Sequence, residues 1–310
     1  MPEFMVGKCK VRTFAAPPEG FNPLEASPAL LAHHGFPSRP DPKVQPEALV
    51  LWHRGMRRFR DRNFKYVVPE FKLQPNIVHG PNRRLSEASR GRVNATSSNW
   101  SGSVLFTDPA ADPFTWITGQ WTVPNAYSPT PSDSTTYYSS AWLGIDGDLS
   151  PDVLQAGTAS EVTGTSVNCY AWWEWFPDFS VAIGGFPFAP GDAAALTICS
   201  TGPDSAFISF RNLTSLQGTS FSITAPAGTT LVGNCAEAVF ERPRVNGALA
   251  QLPRYGENFF DAVTANTRSG TTYSIGSGTT LSMTADDGVT LISTPEIVDD
   301  DAVRCAYTGS

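Results

Sequence analysis

Residues 194–226 contain three short runs, AALTICS (194–200), AFISFRNLT (206–214) and TSFSITAP (219–226), and they indicate the fold of most of the chain. Each run is rich in β-branched or aromatic residues, and the gaps between runs hold Gly, Pro, Asp and Ser, as strands joined by turns do. Similar runs recur about every ten residues from Ser98 to Tyr307, without a helical period long enough for crossovers. We therefore predict an all-β fold, an antiparallel β-sandwich.

The N-terminal part has a different pattern. Residues 1–44 are rich in proline and lack periodicity, which predicts a mostly extended segment. One helix is predicted from Pro46, because four apolar residues recur at three- and four-residue spacing, namely Leu49, Trp52, Met56 and Phe59. We expect this helix to dock on the rest of the protein, with its arginines in solvent, rather than to bind a membrane or nucleic acid.

Charge divides the chain at the same place. Residues 1–92 carry 16 Lys or Arg against 8 Asp or Glu, whereas residues 93–310 carry 6 basic and 21 acidic residues. The division predicts a basic N-terminal segment (1–92) and a β-sandwich catalytic domain (93–310), with residues 1–4 resembling an expression-vector remnant. The net charge of −7 argues against a nucleic-acid partner.

Histidine and cysteine usage exclude several kinds of site. The histidines (His33, His34, His53 and His79) all precede residue 93, so Ser/His/Asp or Cys/His catalysis and His-containing zinc sites cannot form within the catalytic domain alone. The five cysteines lack CxxC spacing, and both disulfides and buried thiols fit them. We expect no metal and no cofactor. No membrane partner is expected either, because no apolar run approaches the roughly 18 residues that span a bilayer.

Two strand-like stretches place carboxylates among aromatic rings. In YAWWEWFPD (170–178), a two-residue period puts Glu174 and Phe176 on one face with Tyr170 and Trp172. In AEAVFE (236–241), the same period puts two further carboxylates on one face, those of Glu237 and Glu241. Desolvated carboxyl groups can act as a general acid or base without histidine, although an ordinary solvated strand face would show the same pattern.

Six motifs in order carry a family resemblance: NWSG (99–102), AWLGIDGD (141–148), LQAG (154–157), YAWWEWFPD (170–178), RNLT (211–214) and AEAVFE (236–241). Over residues 98–307 the chain resembles the eqolisins, the glutamic peptidases of fungi and bacteria. The resemblance implies a sandwich of two seven-stranded sheets, of the concanavalin A-like lectin and glucanase jelly-roll type. It also implies a secreted, acid-acting endopeptidase with a polypeptide substrate, which we expect to be a monomer, although the N-terminus shows no signal peptide.

The resemblance also implies the site. Glu241 would be the catalytic base and acid that activates water, and the amide of Gln155 would stabilise the oxyanion. Residues expected to bind substrate or support the cleft are Trp100, Trp142, Asp146, Glu174, Phe176 and Glu237. For Trp100 and Trp142, a plain role in the core stays open.

Three other functions remain open on sequence alone. Glu174 and Glu241 could form the carboxylate pair of a glycosidase. The chain could be an intracellular enzyme that uses Glu241 on a small molecule, with the N-terminal segment a permanent part of the fold, or it could be an inert binding protein. For the peptidase, we expect the basic segment to be a pro-segment that binds the acidic domain at neutral pH and is released as carboxylates protonate, with Arg83 and Arg84 suited to a processing protease.

Overall fold

The structure is a computed structural model that describes residues 3–62, 64–84 and 94–309. The predicted boundary between residues 92 and 93 lies outside these ranges. Within its described residues, the N-terminal segment holds five strands and two helices rather than the single helix predicted: β1 (Glu3–Val6), β2 (Cys9–Thr13), α1 (Pro28–His33), α2 (Pro46–Arg62), β3 (Lys65–Tyr66), β4 (Glu70–Leu73) and β5 (Ile77–Val78). The additional helix, α1, is only six residues long and is capped by the Ser27 side chain, which accepts from the Leu30 N–H.

Helix α2 confirms the helix predicted from Pro46, but its apolar stripe is covered mainly by the N-terminal segment itself. Trp52 and Met56 form a small core with Ala26 and Leu31. The helix also contacts the β-rich domain through polar groups, since Arg58 Nη1 donates to Gln120 Oε1 at 3.0 Å. The predicted docking is therefore present, and much of the burial that stabilises the helix is local.

Residues 94–309 are built from strands and one short 3₁₀ helix (Ile275–Ser277). The strands are β6 (Asn94–Ser97), β7 (Trp100–Phe106), β8 (Phe114–Thr122), β9 (Thr136–Asp146), β10 (Val153–Thr163), β11 (Ser166–Phe176), β12 (Val181–Pro187), β13 (Ala193–Gly202), β14 (Ser205–Asn212), β15 (Gln217–Thr224), β16 (Cys235–Glu241), β17 (Arg244–Val245), β18 (Ala248–Leu249), β19 (Glu257–Thr267), β20 (Thr272–Ser274), β21 (Thr279–Thr284), β22 (Leu291–Asp299) and β23 (Ala302–Tyr307). The three runs that begin at residues 194, 206 and 219 are confirmed as β13, β14 and β15.

Most of the pairings form one large, mainly antiparallel sheet that folds back on itself, and β5, β17 and β18 form a separate three-stranded sheet. One part runs β12, β11, β10, β9, β16, β7, β21, and the other runs β23, β19, β8, β13, β14, β15, with β22 joining β21 to β23. Strands of the two parts face each other across a core that includes Leu143, Trp173, Leu196, Ile208 and Phe240. The predicted all-β antiparallel class is confirmed, and the closer likeness to the lectin-type jelly roll stays a prediction.

The N-terminal segment extends both ends of this sheet. Strand β4 pairs with β12, and β2 pairs with β15. Val6, Cys9 and Val11 are buried in the same core as the β-rich domain. Because unpaired edge strands expose backbone donors and acceptors, these pairings protect the two edges from other chains.

All five cysteines lie in described positions and are free thiols, three of them buried and two half-buried, so the structure favours free thiols over disulfides. Of the helices in the described ranges, none is long and apolar enough to cross a membrane.

Candidate active site

Three adjacent strands bring Gln155 and Glu174 together. Gln155 in β10 lies directly opposite Glu174 in β11 on one side and Gly144 in β9 on the other. Directly opposite residues of an antiparallel pair point to the same face. Both side chains are fully buried, so their polar groups must find partners within the protein.

Glu241 is the last residue of β16, between β7 and β9. Its backbone is in register with Trp100 on one side and Ser140 on the other. The Trp142 ring Nε1 donates to Glu241 Oε2 at 2.9 Å, and Trp100 packs edge-on against Trp142 with ring centroids 4.9 Å apart. Two buried indole rings therefore fix the position of one carboxylate.

Two glycines make room on this face. A Cβ at Gly144 would lie 2.6 Å from Glu237 Oε1, and one at Gly157 would lie 2.5 Å from the Trp142 Cβ. Both distances are shorter than real contacts allow, so these strands need glycine to pass beneath the Glu237 and Trp142 side chains.

A segment of the N-terminal region crosses the site, and we call residues 74–84 the strap. Its Ile77 and Val78 form β5, which pairs with β17 at Val245 and Arg244. Upstream of β5, the Gln74 N–H donates to the Ser180 carbonyl at 2.8 Å. The strap thus enters as an added strand, which is a common way for proteins to hold extended peptides.

His79 lies at the centre of the site. Its Nδ1 is 2.9 Å from Glu241 Oε2, its backbone N–H donates to Glu174 Oε2 at 2.9 Å, and its carbonyl accepts from Gln155 Nε2. The imidazole stacks on Trp172 with centroids 3.5 Å apart and an interplanar angle of 12°. The side chains of His79 and Glu241 are each 1% exposed, so a single strap residue contacts all three polar side chains in a nearly dry site.

Beyond His79 the strap is held by two groups of contacts. The Gly80 carbonyl accepts from Trp100 Nε1 at 3.2 Å, and the Pro81 carbonyl accepts from Asn99 Nδ2 at 3.2 Å. Arg84 then forms a two-pronged ion pair with Asp148, Nε to Oδ1 at 2.7 Å and Nη2 to Oδ2 at 2.5 Å. Planar two-pronged pairs of this kind are the strongest arrangement available to arginine.

The buried carboxyl groups around the site favour their neutral form. Burial raises the pKa of Glu174 well above its usual range, and the His79 N–H bond only partly offsets this. Burial also raises the pKa of Glu237 well above its usual range, and the charge of Asp146 raises it further. For Asp146 itself, burial raises the pKa to about 6, against three backbone N–H bonds from residues 232–234.

The structure brings most of the sequence-predicted residues together. Gln155, Glu241, Glu174, Trp100 and Trp142 all contact the strap or one another. Phe176 lines a cavity of about 230 Å³ beside Glu241, together with Val78 and Gly80. Glu237 shares the row of Gly144 and Gln155. Asp146 is turned toward the loop at residues 232–234 and binds that loop's backbone.

Sequence reasoning missed His79, Trp172 and Asp148 as parts of the site. Trp172 was placed on the correct strand face without a role, and Asp148 lies in the quoted motif AWLGIDGD. His79 had no such indication, because one histidine after Ile77 and Val78 is equally typical of an ordinary loop.

The chain is similar to several known proteins. The model of the Peptidase A4 family matches residues 98–307. Aspergillopepsin-2 of Aspergillus niger is 26% identical over 249 residues, which cover 75% of this chain and 86% of that protein. Scytalidopepsin B of Scytalidium lignicola is 30% identical over 155 residues, which cover 48% of this chain and 55% of that protein. A crystal structure of scytalido-glutamic peptidase with a transition state analog inhibitor has a similar fold, with a TM-score of 0.59 and 23% identity over 68% of this chain and 98% of that one.

Proposed function

The chain belongs to the Peptidase A4 family, the eqolisins, and is a glutamic endopeptidase; from that premise we propose that Glu241 and Gln155 carry out the hydrolysis. The observation that carries the assignment is the position of His79. Its backbone carbonyl accepts from Gln155 while its side chain contacts Glu241, so the two proposed catalytic groups meet at one residue of the strap.

Gln155 is suited to the carbonyl side of a peptide bond. Its amide Nε2 donates to the carbonyl oxygen of a bound peptide, and the same donor would bond more strongly to the oxyanion that forms when the carbonyl is attacked. An amide does not titrate, so the donor keeps its form at any pH at which the protein is folded. Gln155 can therefore stabilise the oxyanion in acid, where a carboxylate or a histidine in its place would change charge.

Glu241 is suited to the base. The carboxylate would take a proton from a water as that water attacks the carbonyl carbon, and it would then return the proton to the departing amine nitrogen. The Trp142 N–H bond to Oε2 holds the carboxylate in position. Within the described part of the chain Oε1 has no hydrogen-bond partner.

The substrate follows from the way the strap is bound. The strap pairs through its backbone with β17, and backbone pairing of this kind accepts an extended polypeptide of many sequences. We therefore propose unfolded or extended polypeptide as the substrate class, with Trp100, Trp142, Glu174, Phe176 and Glu237 along the cleft. Neither the family nor the relatives favour the glycosidase or small-molecule alternatives.

We further propose that residues 1–92 are an inhibitory segment of a catalytic domain formed by residues 93–310. The strap fills the site that substrate would need, which supports inhibition while it is in place. The family match begins at residue 98, beyond the strap.

Two substitutions test the dyad. Digestion of an unfolded protein at pH 3.5 and at pH 7 should show Glu241→Gln at least about 10⁴-fold slower than wild type, because the base is lost. Gln155→Ala should be about 10² to 10³-fold slower, as other oxyanion donors are when removed.

The matched control is Glu296→Gln, which changes an exposed glutamate on β22 and should leave the rate unchanged. Wild-type activity at pH 3.5 that survives in Glu241→Gln would refute the assignment of the base. Unchanged thermal unfolding of the variants would show that the loss is chemical rather than structural.

A further inference from the structure

We propose that the chain carries its own cleavage site, the peptide bond between His79 and Gly80, and that the His79 side chain keeps this bond uncut. The inference rests on the proposed function of Glu241 and Gln155, and it assigns the bond and the residue that protects it. The strap would then be a bound substrate held just short of reaction.

The His79–Gly80 bond occupies the position of a bond about to be cut. The Gln155 amide donates to the carbonyl on one side of it, His79 O. Glu174 accepts the N–H of the same residue at 2.9 Å. On the other side, Trp100 Nε1 donates to Gly80 O at 3.2 Å, so the chain is fixed both before and after the bond.

Contacts further along the strap, on both sides of the His79–Gly80 bond, also hold it in place. Pairing of Ile77 with Val245 fixes the N-terminal side, and the Asn82 N–H donates to the Gly147 carbonyl at 2.9 Å on the C-terminal side. Holding a reacting group in one orientation removes much of the entropic barrier to reaction. Alignment is therefore not what prevents cleavage.

The imidazole of the strap takes Oε2 of Glu241, the oxygen that a water beside the His79 carbonyl would need, while Oε1 stays without a partner among the described residues. His79 Nδ1 is 2.9 Å from Glu241 Oε2, and Trp142 Nε1 contacts the same oxygen. Trp172 stacks on the imidazole and keeps it there. A water bound by Glu241 would have to stand beside the carbonyl carbon of His79, where the imidazole of that residue already meets the carboxylate.

Cleavage would begin when the imidazole moves off Glu241 and water replaces it. The water oxygen bonds to the His79 carbonyl carbon and gives one proton to Glu241, while Gln155 stabilises the oxyanion. The bond from that carbon to the Gly80 nitrogen then breaks, and Glu241 returns the proton to the nitrogen. The products are a His79 carboxyl group and a Gly80 amine, and water is the only co-reactant.

The test uses the full chain at pH 4, with intact mass and N-terminal sequence of the products read over time. Wild type should yield a fragment that begins at Gly80, and His79→Ala should yield the same fragment at least tenfold faster. His79→Leu, which keeps an apolar side chain against Trp172 but has no ring nitrogen, should also be faster. His33→Ala is the matched control, since His33 is exposed in α1, and it should match wild type.

Dilution distinguishes intramolecular cleavage from cleavage by a second molecule. The rate constant for appearance of the Gly80 fragment should not change over a hundredfold range of protein concentration, and Glu241→Gln should give no fragment. A first cut at another bond, or a slower cut in both His79 variants, would overturn the inference.

Digestion of an added unfolded protein in the same samples distinguishes failure of this inference from failure of the proposed function. Activity on that protein with the 79–80 bond intact in every variant would overturn the inference and leave the proposed function standing. No digestion and no self-cleavage by any folded variant would overturn both.

Discussion

Two parts of the N-terminal segment are bound to the same domain by different forces. The hairpin of β1 and β2 (residues 3–13) places Val6, Cys9 and Val11 in the main core and pairs with β15. The strap is bound through polar groups, with His79 on Glu241 and Arg84 on Asp148. The free energy gained by burying apolar surface does not depend on the charge of carboxylates. The strength of a contact between a basic side chain and a carboxylate does depend on that charge.

This difference in binding predicts that acid releases the strap and does not release the hairpin. Acid weakens contacts between basic side chains and carboxylates in general, and the strap depends on two such contacts, those of His79 and Arg84. The hairpin loses nothing of its buried apolar contacts. We therefore expect acid to open the strap while the hairpin stays in the sheet, which limits the release of the whole segment expected from its charge.

The largest expected effect concerns the stability of the β-rich domain, to which both the hairpin and the strap are bound. Folding raises the pKa of Asp146 from 3.8 to about 6, so between these two pH values the folded state holds a proton that the unfolded state has lost. The free energy of unfolding therefore falls as pH rises through this window. The buried Glu174 and Glu237 act in the same direction. The free energy of unfolding should be larger at pH 4 than at pH 7 by on the order of 3 kcal/mol.

Denaturant titration of the uncleavable Glu241→Gln variant at the two pH values measures this difference. Adding Asp146→Asn should reduce it, and adding Asp204→Asn, at an exposed position, should not. Equal stability at both pH values, or lower stability at pH 4, would contradict the account.

The second prediction concerns the hairpin. Val11 is fully buried opposite Ile223, so Val11→Ala should lower the free energy of unfolding by about 2 kcal/mol at pH 4 and at pH 7 alike. Lys10→Ala, at the exposed neighbouring position, is the control and should have little effect. A Val11→Ala effect confined to one pH would show that the hairpin shares the strap's dependence on charge.

The smallest expected effect concerns the strap. Asp148→Asn keeps the shape of the side chain but removes its charge, and loss of one charged hydrogen-bonded contact is worth about 1.4 kcal/mol, or tenfold in an equilibrium. Uncut full-length enzyme should therefore hydrolyse a fluorogenic peptide about tenfold faster at pH 6 than wild type does. Asp204→Asn removes an equal charge at an exposed position in the turn between β13 and β14, and an equal gain in that variant would disprove a local cause.

Much of the fold could be predicted from local pattern. The runs at residues 194–226 and the helix at Pro46 are encoded within a few residues each, as alternation or helical spacing. The six-residue helix α1 could not be predicted, because it is too short to show a period. The two faces of YAWWEWFPD were also correct, with Trp173 and Trp175 in the main core and Trp172 on the other side.

The strap could not be predicted, because its position depends on contacts between residues far apart in the chain. Nothing local to Ile77 and Val78 specifies pairing with β17, about 170 residues away. Charge counting indicated that a basic segment would meet an acidic domain, but the decisive contact is made by a histidine, which the count leaves out. The roles assigned to Gln155, Glu241 and the cleft residues stay predictions that the substitutions above test.

Hydrogen exchange compares strap and hairpin most directly. Wild-type chains would be pulse-labelled at pH 7 and at pH 4, with rates corrected for intrinsic exchange and only uncut molecules counted by mass. The account predicts that protection of residues 77–82 falls at least tenfold at pH 4, while protection of residues 9–13 does not change. Equal strap protection at both pH values, or loss of protection in both regions together, would contradict it.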